Sequence, residues 1–382
     1  MFKERLFTPG PTQLLPAVQA AMAQPIVHHR TEEFRSVFKE VLEGLRYIYN
    51  TQNDVLCFTS SGTGAMEGAV VNLLSPGDEA LVVSAGKFGE RWASLCKAFC
   101  VNANVISIPY GQAVDPGLVA AELEKHPNTR AVLVQYSESS TGAKHDVKAL
   151  GEIVHRYPKT ALVVDAITGL GVMEMPVDDW HLDVVIGGSQ KALMLPPGLA
   201  FACVSQKAWG LIEGVKSSRY YFDYQKERKN NAKGESSYTP AITLIVGARE
   251  AIKYIRSVGR DNLIANAGLL AAATRAAARA LGLKLFAESC PSDALTAICS
   301  PGGIESGVII KEFKKNFGAT VANGQGEMKG QLFRIAHLGY YDFTDTVALI
   351  ACLEIILKKL KVPVELGAGV TAAQQVYLLK QS

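Results

Sequence analysis

From residue 31 to residue 204 the chain alternates amphipathic stretches with short runs that are apolar throughout. Phe34, Val37, Phe38, Val41, Leu42 and Leu45 recur at helical spacing behind Thr31, a residue able to cap, and predict a helix over 31–50. Val55–Phe58, Ala80–Val83, Val105–Ile108 and Ala131–Val134 read as strands. Between them, 65–74, 88–99, 116–125 and 147–157 read as helices. Ala161–Val164, the run ending at Lys191, and Leu199–Val204 complete the strand series. Strand and helix in alternation predict an α/β fold with a mainly parallel, doubly wound sheet. Strands apolar on both faces agree, because such sheets are covered on both sides.

The pattern changes at both ends. Residues 1–30 read as extended and irregular, with a rigid turn at Thr8-Pro-Gly-Pro11. Residues 241–282 are helix-rich and break near Gly259-Arg-Asp261. Beyond them, strand-like runs at 295–299, 308–310 and 332–336 mix with helices near 311–317 and 344–360, and a short terminal helix follows Gly367-Ala-Gly369. These changes predict an N-terminal arm (1–20), a large domain (21–258) and a smaller C-terminal α+β domain (259–382). A chain of 382 residues is long enough for two cores.

Composition narrows the class. The 39 basic and 36 acidic residues are scattered, which argues against nucleic acid or a basic membrane face. Seven cysteines without a C-x-x-C pair suggest a reducing compartment. Met-Phe-Lys-Glu-Arg5 lacks an apolar signal core and no apolar run reaches about 20 residues, so the cytoplasm is expected. His28-His-Arg30 has no acid or cysteine at ligand spacing, and no metal is expected. Isolated His181 and His337 read as structural.

The candidate chemistry lies at strand ends. Asp183-Val-Val-Ile-Gly-Gly-Ser-Gln-Lys191 places an amine at the C-terminal edge of a buried strand, and Ala161-Leu-Val-Val164 places Asp165 at the same edge, where open α/β sheets bind ligands. An amine and a carboxylate so placed suit a Schiff-base lysine and a partner for the pyridinium nitrogen of pyridoxal phosphate (PLP). Either residue alone reads more readily as a surface lysine or a solvated loop aspartate; the two together, with the loops below, reverse that. Ser60-Ser-Gly-Thr-Gly64, between strand and helix, offers backbone N–H groups to a phosphate. It is no Walker loop, and a dinucleotide fingerprint would need an acid where the next strand ends in Ser84-Ala-Gly86. A plain turn is the alternative. Phe88 can stack on a flat ring or belong to the core. Glu138-Ser-Ser-Thr-Gly142 can bond a cofactor's polar edge or simply cap a turn. Arg334, on the otherwise apolar strand Leu332–Ala336, suits a substrate carboxylate, or a buried ion pair.

Taken together, these segments resemble the class V branch of the fold type I PLP enzymes, and more narrowly the alanine–glyoxylate and serine–glyoxylate aminotransferases. The resemblance runs nearly the whole chain, through Thr8-Pro-Gly-Pro11, Ser61-Gly-Thr-Gly64, Phe88-Gly-Glu-Arg91, Glu138-Ser-Ser-Thr-Gly142, Val164-Asp165, Gly188-Ser-Gln-Lys191, Tyr238-Thr-Pro240 and Arg334-Ile335. It implies Lys191 as the Schiff-base lysine and Asp165 as the ring-nitrogen partner. Ser61, Gly62, Thr63 and Gln190 would hold the phosphate, Ser139 would lie near the cofactor's polar edge, and Ile167 would pack under the ring. Phe88 takes a stacking position that is often tryptophan in such enzymes. Thr239 would reach the phosphate of a second subunit in a homodimer with shared sites, although Ser236-Ser237 stands where an aromatic phosphate ligand can occur. Arg334 would clamp the substrate carboxylate. The implied reaction moves an amino group from alanine or serine to glyoxylate or a similar 2-oxo acid.

Aminoethylphosphonate transamination is the rival that shares the Thr-Pro-Gly-Pro opening. A lyase or cysteine desulfurase is a weaker rival, because residues 316–331 hold no cysteine. The missing ribose acid argues against a nicotinamide dehydrogenase, and the intact Lys191, Asp165 and Arg334 set argues against a silent partner subunit.

Overall fold

The computed structural model describes residues 3–380. Its centre is a seven-stranded sheet built from β1 (Asp54–Thr59), β2 (Glu79–Ser84), β3 (Asn102–Ser107), β4 (Thr129–Gln135), β5 (Ala161–Asp165), β6 (Val184–Gly188) and β7 (Leu199–Val204). The spatial order is β1-β7-β6-β5-β4-β2-β3. The β6–β5, β5–β4, β4–β2 and β2–β3 pairs are all parallel. Only β7 runs against its neighbours β1 and β6. No crossover helix separates β6 from β7, and a short connection can only return a strand antiparallel.

Strand side chains alternate between two cores. Leu81 and Val83 join one cluster with Phe34, Phe38 and Leu45 of helix α1 (Glu32–Tyr49). Ala80 and Val82 join another with Met66 of helix α2 (Gly62–Leu73) and Trp92 of helix α3 (Lys87–Ala98). The Thr31 hydroxyl caps α1 by accepting the Phe34 N–H at 3.3 Å. A third cluster gathers Phe313, Phe333, Leu353 and Leu357 from the C-terminal part of the chain. Phe7 belongs to it, and Arg5–Leu6 pairs with Ala319–Thr320, so the N-terminal segment joins the C-terminal core.

Three expectations from the sequence need correction. Residues 308–310 are not a strand. They lie in the helix Ser306–Phe317, which buries Ile309 and Phe313 four residues apart and leaves Val308 42% exposed. A β-branched triplet imitates a strand, but the buried spacing is helical. The first thirty residues are not all irregular, because Pro16–Met22 is a helix packed on Ile242–Val258. Seven residues are too few for periodicity to show. Helix α2 begins at Gly62 rather than Ala65, so the glycine-rich segment forms its first turn and Ser61 its N-cap position.

Candidate active site

Lys191 stands three residues beyond β6, in a turn closed from above by the N-terminal segment. The Lys191 amine donates to the Pro9 carbonyl, and the Thr12 hydroxyl donates to the Lys191 carbonyl at 2.9 Å. Gly10 has φ +128, and a Cβ there would lie 2.7 Å from the lysine Cε and Nζ. Only glycine meets both conditions. Asp165 ends β5 and is 6% exposed. One carboxylate oxygen accepts the Ile167 N–H at 3.0 Å.

Burial shifts both groups toward their neutral forms. It lowers the Lys191 pKa to about 8, opposed by the charge of Asp165 and aided by Arg334 and Arg91. It raises Asp165 to about 6, with the Ile167 N–H, Lys191 and Arg91 acting against that and Glu138 adding to it. An amine and an acid held this way change protonation close to neutrality, as proton transfer at a reacting carbon requires.

Around this pair lie the parts of a cradle. Ser61 is exposed at the N-cap position of α2, where helix N–H groups point outward without intrahelical partners. Gly62 and Gly188 face each other across Ile167: a Cβ on Gly62 would meet Ile167 Cδ1 at 2.3 Å, and one on Gly188 would meet Ile167 Cγ2 at 3.3 Å and Gln190 Oε1 at 3.1 Å. That Gln190 oxygen is buried without a hydrogen-bond partner. Thr63 accepts from Arg91 Nη1 at 3.0 Å, and the same guanidinium lies 4.7 Å from the Phe88 ring centroid.

Arg334 extends from the small-sheet strand Leu332–Ala336 and is 6% exposed. Its guanidinium donates to the carbonyls of Asn323, at 2.9 and 2.6 Å, and of Ser139, at 2.5 Å. Among the described residues no carboxylate forms an ion pair with it, so the sequence alternative of a structural ion pair is not what is found. Burial lowers its pKa to about 10, against the nearby charge of Glu138. An unpaired buried guanidinium is costly unless an anion completes it.

These contacts bring Lys191, Asp165, Ile167, Gln190, Gly62, Thr63, Phe88, Ser139 and Arg334 into one region, with Ser61 at its rim. Thr239 is exposed and lines a separate small cavity with Thr59, Tyr221 and Tyr238. Sequence reasoning passed over Arg91, Gln135 and the carboxylate of Glu138. Arg91 follows Phe88 at i+3, and Gln135 ends β4 opposite Asp165. Both positions were signals open to reading.

A family with a named model, aminotransferase class V, matches residues 6–325. A protein of Anabaena cylindrica named as the soluble hydrogenase 42 kDa subunit is 40% identical over 98% of this chain and 99% of its own length. The L-aspartate–glyoxylate aminotransferase of Paracoccus denitrificans is 34% identical over 97% of this chain and 96% of its own. Among solved structures, an aspartate aminotransferase of subgroup IV from Thermus thermophilus superposes with a TM-score of 0.87 at 33% identity, covering 93% of this chain and 99% of that one.

Proposed function

The chain belongs to the class V aminotransferases, which are PLP-dependent enzymes, and on that premise we propose that it transfers the amino group of a small amino acid, alanine or serine, to glyoxylate or a similar 2-oxo acid. The observation that carries this reading is the buried amine of Lys191 beside Asp165, faced by an arginine that has no ion-pair partner among the described residues. When bound, PLP supplies an aldehyde that takes up the amino group and a ring that delocalises the electron pair released at the substrate's α-carbon.

The chain's own residues do the rest. Lys191 anchors the cofactor and, with a pKa near 8, accepts and returns the α-proton at its Nζ. Asp165 holds the proton on the ring nitrogen by its charge. The first turn of α2, with Ser61, Gly62 and Thr63, would hold the phosphate. Gln190, two residues beyond β6, fits that role through its amide N–H groups, which can donate to a phosphate oxygen. Ile167 and Phe88 would pack against the ring, and Ser139 would lie near its polar edge. Arg334 exchanges a carbonyl contact for the substrate's α-carboxylate and orients the α-carbon toward Lys191.

The aspartate named for two relatives widens the donors to be tried. We read the chain further as an arm (1–20), a large PLP-binding domain (21–258) and a small domain (259–382). We read it as a cytoplasmic homodimer in which Thr239 reaches the partner's phosphate. No helix among the described residues is long and apolar enough to cross a membrane.

Half-reactions test the reaction. The PLP-loaded protein mixed with alanine, serine or aspartate in turn should lose its visible absorbance as the pyridoxamine form appears, and glyoxylate should restore it. A spectrum unmoved by all three donors would remove the proposed substrate class.

A further inference from the structure

Glu138 is 0% exposed. One of its oxygens accepts the N–H of Phe88 at 3.1 Å and of Gly89 at 3.0 Å. The other accepts the Ser140 N–H at 3.1 Å and the Ser140 hydroxyl. That hydroxyl in turn accepts the Lys87 N–H at 3.1 Å. The first three N–H groups of helix α3 therefore all end on Glu138 and Ser140. The helix has no cap of its own, because its N-cap residue is Gly86. A Cβ on Gly86 would sit 2.5 Å from the Glu138 side chain, so glycine at 86 is what lets the carboxylate reach the helix.

Phe88 is held from the other side as well. Its carbonyl accepts the Gln135 amide N–H at 2.9 Å. Both ends of one aromatic residue are thus tied to the segment in which β4 ends, beside Asp165. A hydroxyl or neutral amide caps a helix without burying a charge, which is costly. Among the described residues Glu138 has no ion-pair partner. Burial pushes the Glu138 carboxyl up, against the donors of Ser140, Gly89 and Phe88 that hold its ionised form, and its charge acts on Asp165 of β5 and Arg334 of the small sheet, while Arg91 and Lys191 act on Asp165 as well. Ser139, whose carbonyl holds Arg334, is the next residue in the chain.

We propose that Glu138 is a positioning residue for transamination: its carboxylate locks the first turn of α3, and with it the Phe88 ring, against the cofactor plane, and places a fixed negative charge behind Asp165. The inference rests on the reading of the Lys191 site as a PLP site.

The test uses purified holoenzyme. Glu138→Gln keeps the reach and removes the charge, Glu138→Asp keeps the charge and shortens the reach, and Ser140→Ala removes one strut. Visible circular dichroism of the bound cofactor reports how its ring is seated. For Glu138→Gln this signal should fall by more than half, and the dissociation constant of PLP should rise about tenfold, the scale of a lost charge-assisted hydrogen bond. Loss of a nearby negative charge makes protonated groups release their protons more easily, so the pH transition of the visible band should move down by about half a unit or more. Glu138→Asp should retain the transition and lose the dichroism, and Ser140→Ala should weaken the dichroism less.

A folded Glu138→Gln protein with wild-type dichroism, cofactor affinity and pH transition overturns the proposal, even if its melting temperature falls, because a plain helix cap would lower only the last. Should that variant fail to fold, unchanged dichroism in Ser140→Ala overturns it equally. A wild-type chain that binds no PLP removes the underlying reading and this inference with it. A PLP-binding wild type beside unchanged variants removes this inference alone.

Discussion

Arg334 is charged, buried and satisfied only by carbonyls, and this is costly in a protein that never meets an anion there. Lysine in its place retains the charge but loses the planar fork that grips a carboxylate with two bonds. Arg334→Lys should therefore raise KM for both amino and oxo acids at least about tenfold, the scale of one charge-assisted hydrogen bond, while PLP affinity stays near wild type. Steady-state kinetics beside PLP titration check this, and equal losses in both would make the arginine structural. Asp165→Asn removes an anion and leaves the shape. Proton abstraction in the half-reaction should slow by at least about a hundredfold, because electrostatic stabilisation of this kind is worth about 3 kcal/mol or more. Stopped-flow absorbance reads that rate, and an undiminished rate would take Asp165 out of its role.

At the scale of elements, the helix Ser306–Phe317 gives a prediction that separates the structure from the sequence pattern. Val308 faces solvent and Ile309 the third core. Val308→Glu should change stability by less than about 0.5 kcal/mol, whereas Ile309→Ala should cost about 2–5 kcal/mol. Chemical denaturation measures both, and a costly Val308→Glu would contradict the helix. This element shows where reading the chain fails. Fully buried strands such as Ala161–Asp165 and Leu199–Val204 carry their signal in every residue and were legible to within a residue or two. A half-buried helix with a β-branched triplet carries conflicting local and tertiary signals, and burial decides. The glycines of residues 62–64 concealed the start of α2 in the same way, since a poor helix former in the first turn looks like loop.

At the scale of the whole molecule, the alternation of elements made the parallel sheet legible, and strand ends made Lys191 and Asp165 legible. Contacts between distant segments were not. The N-terminal carbonyl of Pro9 on the Lys191 amine, and the grip of Glu138 on helix α3, join residues separated by 182 and 49 or 50 positions, and periodicity carries no trace of either. Burying two ionisable groups in one site also makes the stability of the cofactor-free protein depend on pH. Lys191 has a folded pKa of about 8, below the 10.5 of a free lysine. The unfolded chain binds the extra proton between those values, so this group makes stability rise with pH from about 8 to 10.5. Asp165, raised from 3.8 to about 6, makes it fall as pH rises through that lower window. Lys191→Met should consequently remove the rise in stability between about pH 8 and 10.5 that the amine gives the cofactor-free protein. Thermal melts of both proteins across that range check it, and a pH-independent difference would mean the amine is not desolvated.

The account depends most on the covalent anchoring of PLP at one side chain. Borohydride reduction of the PLP-loaded protein, followed by proteolysis and mass spectrometry, should place a pyridoxyl group on the peptide containing Lys191 and on no other. An unmodified Lys191 peptide, or a pyridoxyl group found on a different lysine, would contradict it.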